Sequence, residues 1–277
     1  MSKNLQTKKY QDLIYDVGMH KGEDTEYYLI KGFRVIGFEA DPDLVAHCRA
    51  RFSNEISNGQ VVIVEGAITE KSHIDNGNTT ISFYKNKDNT QWGTVVQEWA
   101  QRNENLGATN EVLSVPSVDF TEYLKKYGIP HYLKIDIEGM DKVCLKALID
   151  FEQKPDYISL ESEKILFNNL IEEFNLLQQL GYNNFKAVQQ SDNSKYNKSR
   201  KGPSSLFGED LSGEWKDIKH ILSEYKTIFN KYKFFGDYGI LKNYFIGKLF
   251  ISFYKKILGS NLPGWYDTHA KHSSLDS

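Results

Sequence analysis

Cysteine is scarce, with only Cys48 and Cys144 among 277 residues. The two fall in different predicted helices, with no CxxC and no metal-ligand spacing. That argues against a disulfide framework and for buried packing thiols in a reducing compartment. Long apolar runs are also missing. No uncharged stretch reaches the roughly 18 residues a spanning helix needs, and the leading MSKNLQTKKYQ lacks the apolar core of a signal peptide. These two gaps predict a cytoplasmic protein. Neither charge dominates: 34 Lys and Arg stand against 37 Asp and Glu, a net charge of -3, so no nucleic-acid partner is expected. Internal repeats and low-complexity tracts are lacking too. The length allows one large domain or a domain with an appendage. The near balance hides an asymmetry, because from Leu211 onward ten Lys and Arg face six Asp and Glu. The tail is basic and the body acidic.

What is present is organised around Tyr132–Asp141, YLKIDIEGMD. Leu133, Ile135 and Ile137 alternate with Lys134, Asp136 and Glu138, which reads as one strand with an apolar and a charged face. Helical patterns flank it, so it should belong to a parallel sheet, whose central strands normally read as continuous apolar runs. Ligands of open α/β sheets sit beyond the carboxyl ends of the strands, where strand order reverses, and Gly139 permits a tight turn there. Asp136 and Glu138 are therefore site candidates, and a solvated or salt-bridged pair at a strand end is the competing reading.

In chain order, Leu13–Val17 reads as a buried strand, Gly18-Met19-His20-Lys21-Gly22 as a glycine loop and Glu23–Lys31 as a helix ended by Gly32. Arg34–Phe38 is a second strand ending in Glu39. Asp41 then serves as N-cap with Pro42 at the first helical position, for a helix running to about Phe52. Glu39 lies 21 residues beyond Gly18, a spacing that suits an acid holding a nucleoside ribose. Val61–Glu65 is a third strand, ending at Gly66-Ala67. Thr79–Lys85 reads as an antiparallel addition, and Asn86–Ala108, with Trp92 and Trp99, as a loop and short helix closing over the site. Val112–Val118 is extended, Asp119–Tyr127 helical up to Gly128, Lys142–Phe151 helical, and Asp156–Leu160 a fifth strand ending in Glu161. Residues 164–180 form an amphipathic helix closed by Gly181. Gln189–Pro203 is a polar loop, and Ser204–Trp215 is expected to return toward the site.

The motifs DVGMHKGEDT, VIGFEADP, VPSVDF, YLKIDIEGMD and YISLE, in order over residues 12–165, resemble the successive signatures of the FkbM family of S-adenosylmethionine-dependent methyltransferases. The resemblance implies a class I methyltransferase, Rossmann-like α/β fold: a seven-stranded, mostly parallel sheet with helices on both faces and one antiparallel strand near an edge. It implies S-adenosylmethionine as cofactor, bound by Asp16, Gly18, His20, Gly22, Thr25, Glu39, Ala40, Glu65, Gly66 and Ala67. Within that set Asp16, Gly18 and Gly22 would form the loop under the cofactor and Glu39 would take the ribose hydroxyls. Glu65 to Ala67 would lie near the adenine. Asp136 and Glu138 would be the catalytic pair, near the transferred methyl. One departure is His20, where the family usually has Asn; it either bonds the cofactor or caps the loop. The chain then divides into a methyltransferase domain, residues 1–210, and an aromatic, basic, mainly helical C-terminal extension, residues 211–277.

The implied reaction is O-methylation of a small-molecule or glycan acceptor: a hydroxyl of a glycan, glycolipid or natural product. Trp92, Trp99, Phe207 and Trp215 are candidates to stack on a sugar, against the ordinary reading of each as core. A carboxylate can act as general base. A divalent cation would serve the same end, because Asp136 and Glu138 are hard oxygen ligands, but two acids from one strand do not complete a metal site, and none is assigned. A nicotinamide oxidoreductase would need G-x-G-x-x-G where this chain has G-x-x-x-G. A non-catalytic cofactor-fold protein working through its extension is the other alternative. In that extension ten aromatics lie between Ile228 and Leu258, and Lys248, Ser252, Lys255 and Lys256 share a narrow polar arc. Its wide apolar face is expected to pack on the body or on a second copy, leaving a homodimer open; contact with a membrane surface is less favoured.

Overall fold

The structure is a computed structural model that describes residues 5–162, 166–190, 205–235 and 266–276. The chain opens with β1 (Lys9–Val17), α1 (Glu23–Ile30), β2 (Arg34–Glu39), α2 (Pro42–Arg51), α3 (Ser53–Ser57) and β3 (Val61–Glu65). There follow β4 (Ala67–Ile68), α4 (Lys71–Asp75), β5 (Thr80–Asn86), α5 (Gln97–Asn105), β6 (Asn110–Val118) and α6 (Phe120–Tyr127). The remainder comprises β7 (Ile129–Ile135), α7 (Asp141–Leu148), β8 (Tyr157–Glu161), α8 (Phe167–Gln179), β9 (Tyr182–Gln189), a helix here called α9 (Ile218–Phe235) and β10 (Tyr266–His272).

Seven strands form the main sheet in the order β3-β2-β1-β7-β8-β10-β9, with β10 antiparallel to both neighbours and the other pairs parallel. This is the arrangement the class I methyltransferase fold requires. Strand order reverses between β1 and β7, so a crevice opens at their carboxyl ends. A smaller sheet, β4-β6-β5, carries the predicted addition: β5 runs antiparallel to β6.

The apolar runs are continuous because both faces of the sheet are covered. Leu13, Tyr15 and Val17 of β1 pack in one cluster with residues of α6, α7, α8 and α9, whereas Ile14 packs in another with residues of α1 and α2. β7 divides in the same way. Leu133 and Ile135 face the first cluster, and Tyr132 faces the second. Asp41 caps α2 as its sequence position predicts, accepting from the Asp43 amide at 2.9 Å.

Two readings are corrected. The alternation expected to run through Glu138 stops at Ile135; beyond it the chain turns, with Glu138 at φ 41 and Gly139 at φ 99. Within residues 211–277, β10 lies inside the sheet, bonded to β8 on one side and β9 on the other. α9 also belongs to the body, because Ile221 and Tyr225 are buried in the main core. Phe207 and Trp215 are packing residues. The Phe207 ring stacks on Tyr132 at 4.2 Å between centroids, and Trp215 stacks on Tyr157. Lys248, Ser252, Lys255 and Lys256 lie outside the described residues.

Candidate active site

A cavity of about 590 Å³ lies along the carboxyl edge of the main sheet, within the range of roughly 300–1,000 Å³ typical of small-molecule sites. It runs from Gly66, Ala67 and Ile68 past Glu39 and Gly18 to Asp136, and on to Glu161, Gln190 and Asp267. The segment Thr90 to Val95 forms a further wall. That segment is held from two sides. Thr90 Oγ1 lies 2.8 Å from His20 Nε2, and the Thr94 hydroxyl donates to the Glu138 carbonyl at 2.8 Å.

The floor is laced by backbone. Gly18 and Met19 both donate to the Phe38 carbonyl at 3.0 Å, and Asp136 donates to the Val17 carbonyl at 2.9 Å. Gly18 has φ 83, and a Cβ there would sit 2.0 Å from the Asp136 carbonyl oxygen. Only glycine allows the two loops to meet so closely. His20 follows with φ 50, in the left-handed region that both Asn and His enter more readily than most residues. A histidine at this position therefore suits the turn.

Glu39 ends β2 and is 9% exposed. Each of its carboxylate oxygens accepts one backbone amide, from Asp41 at 2.8 Å and from His20 at 2.9 Å. A carboxylate oxygen has two lone pairs, so each retains capacity for a hydroxyl donor from the cavity. Burial pushes the Glu39 carboxyl up to about 7, although both amides favour its ionised form. The far end is different. Asp136, with 47% of its side chain exposed, stands on the cavity wall. Asp141 behind it is pushed up to about 7 by burial and by the charges of Asp136 and Glu161.

Of the residues singled out from sequence, Gly18, His20, Glu39, Ala40, Gly66, Ala67, Asp136 and Glu138 line the cavity. Asp16, Gly22, Thr25 and Glu65 are not among its lining residues. Asp16 and Thr25 are joined beneath it, hydroxyl to carboxylate at 2.6 Å. Gly22 starts α1 at φ 78, where a Cβ would meet the Phe52 ring at 2.4 Å. Glu65 turns to Arg49, 2.8 Å away. Trp92 lines the cavity, and Trp99 lies against Gly139 and Arg102.

Sequence reasoning missed Lys134, Asp24, Glu161, Gln190 and Asp267. The charge of Lys134 inside a central strand was a visible signal. Asp24 looks like any acid in a first helical turn, and Gln190 and Asp267 adjoin or lie on strands whose pattern was not legible. Among the described residues, no three His, Cys, Asp or Glu side chains are grouped to hold a metal ion.

Residues 16–184 match the sequence profile of the Methyltransferase FkbM domain. No curated protein matches the chain significantly. Among solved structures, the chain is similar to methyltransferase FkbM from Methylobacillus flagellatus at 16% identity and TM-score 0.41, covering 66% of this chain and 41% of that one. It is also similar to precorrin-6y C5,15-methyltransferase from Geobacter metallireducens (13% identity, TM-score 0.36, covering 66% and 69%). An O-methyltransferase from Bacillus cereus, solved in complex with SAH, is a third (14% identity, TM-score 0.35, covering 64% and 67%).

Proposed function

The chain belongs to the FkbM methyltransferase family and uses S-adenosylmethionine; from that premise we propose that it methylates a hydroxyl oxygen of a glycan, glycolipid or natural product. When bound, the cofactor supplies an electrophilic methyl carried on a sulfonium. The rest is the work of this chain's residues. Glu39 holds the two ribose hydroxyls through the lone pairs its backbone donors leave over. Ala40, Ala67, Ile68 and Phe83 give the same end of the cavity apolar walls suited to a purine. Asp136 would stand beside the acceptor hydroxyl and take its proton as the oxygen receives the methyl.

Two contributions decide whether that arrangement is sufficient. Holding donor and acceptor in line can supply about 7–11 kcal/mol of barrier reduction. An alcohol is a poor nucleophile even so, and a positioned base adds about 10²–10⁴-fold. The observation that carries the reading is the division of carboxylates along one cavity. Glu39 is buried and tied by backbone on the β2 side, whereas Asp136 is half exposed on the β7 side, open to an acceptor. Glu138 adds a second carboxylate beside it, on a backbone of positive φ whose carbonyl Thr94 holds. Such strained residues gather at functional sites.

The test is to incubate the protein with methyl-labelled S-adenosylmethionine and extracts or sugar nucleotides from its own source, and to identify by mass spectrometry what gains a methyl. Label on a hydroxyl oxygen of a glycan, glycolipid or natural product is expected. Label on nitrogen or carbon would contradict the O-methylation reading.

A further inference from the structure

A lysine in the middle of a buried parallel strand needs an explanation. Lys134 is paired in register with Asp16 of β1, so the two side chains emerge from the same face of adjacent strands, and Asp136 follows two residues later. Asp24 reaches the same point from α1. The Lys134 ammonium lies 3.6 Å from Asp16, 3.4 Å from Asp24 and 3.6 Å from Asp136, with 5% of its side chain exposed. The two inner carboxylates are themselves fastened by their other oxygens. Asp16 accepts the Thr25 hydroxyl and Asp24 accepts the Ser205 hydroxyl, each at 2.6 Å. The remaining Asp16 oxygen is buried and has no hydrogen-bond partner, so its compensation comes from the ammonium 3.6 Å away. Burial works to lower the Lys134 pKa, and Asp16, Asp136 and Asp24 outweigh it and hold the group charged.

We propose that Lys134 is a positioning residue: anchored below by Asp16 and Asp24, it fixes the carboxylate of Asp136 on the cavity wall where the acceptor's proton is taken. This rests on the reading of Asp136 as base. Three carboxylates on one cation distinguish this arrangement from a simple buried ion pair, because two of them hold the ammonium and the third, with 47% of its side chain exposed, is presented to the cavity. Asp141 repels Asp136 from the side of α7, and Lys134 opposes it from β7.

The experiment compares initial rates of tritium transfer from methyl-labelled S-adenosylmethionine, with the source extract as acceptor, alongside calorimetry with S-adenosylhomocysteine. Lys134→Met should lower kcat about tenfold or more while the KM for S-adenosylmethionine and the affinity for the product change less than about threefold. Lys134→Arg, which keeps the charge, should recover a substantial part of the rate. In an Asp136→Asn background, Lys134→Met should cost almost nothing further, since residues acting as one unit are not additive. If Lys134→Met does not fold, Asp24→Asn removes one anchor without leaving a carboxylate unpaired, and it should show the same loss of kcat and the same silence behind Asp136→Asn. A loss that persists in full in the Asp136→Asn background, or that appears as weaker cofactor binding, overturns the proposal. A normal rate for Asp136→Asn alone overturns the base reading instead, so the two failures are distinguishable.

Discussion

With Glu39 holding the ribose, as proposed, one side chain would couple cofactor binding to pH. Its carboxyl is raised from 4.5 to about 7 by burial, so between those values the folded protein holds a proton that the unfolded chain has released. By linkage this group lowers stability as pH rises through that window. Ribose hydroxyls need the ionised form as acceptor, so cofactor binding should strengthen over the same range. If only the carboxylate binds, the competent fraction grows about tenfold between pH 6 and 8, and the Kd for S-adenosylhomocysteine should fall by about that factor. Calorimetry at the two pH values checks this. Glu39→Gln should remove the pH dependence, and Glu39→Ala should cost about 1–3 kcal/mol of binding by leaving two hydroxyls without partners. A pH-independent Kd in the unmodified protein would place the ribose elsewhere.

At the scale of elements, what was legible followed from local rules. Asp41-Pro42 announced α2, Gly128 ended α6, the run Leu13–Val17 announced a buried strand because both sheet faces are covered there, and Val61–Glu65 announced a third strand, which lies at the sheet edge and is partly buried. The first four residues of β1, Lys9 to Asp12, were missed because the strand begins where it is still partly exposed. β10 was missed for a stronger reason. Its sequence, YDTHAKH, has almost no apolar content, and yet Thr268, His269 and Ala270 are buried between two strands. Thr268 is sustained by hydroxyl bonds with Ser162 and Tyr225, and burial together with the charge of Lys186 holds the His269 imidazole down to about 3, so it packs as a neutral ring. No periodicity rule sees such a strand. The lining of the cavity was more legible than β10, because Gly18, Glu39 and Asp136 each sit at or just beyond the end of a strand. It also follows that a chain stopped at residue 210 loses a strand from the sheet interior and uncovers β8 and β9. Such a truncation should yield insoluble protein or lose the cooperative thermal transition, whereas a soluble 1–210 fragment melting cooperatively would show that residues 1–210 fold as a domain of their own.

For the whole molecule, the sheet sets the division of labour. One end of the cavity is built from the ends of β1, β2 and β3, and the other from those of β7, β8, β9 and β10; the proposed function gives the first to the nucleoside and the second to the acceptor. No helix among the described residues is long and apolar enough to cross a membrane. If Asp136 acts as a base, transfer should keep its rate in EDTA. A rate lost in EDTA and restored by Mg²⁺ would instead make Asp136 and Glu138 ligands of a cation.

The central claim is that Asp136 serves chemistry and Glu39 serves binding. The most direct measurement is tritium transfer by Asp136→Asn onto the identified acceptor, beside its calorimetric affinity for S-adenosylhomocysteine. The substitution keeps the shape and removes the base, so transfer should fall by about 10²-fold or more with the affinity retained. Normal transfer by Asp136→Asn would show that the carboxylate beyond β7 is structural and contradict the account.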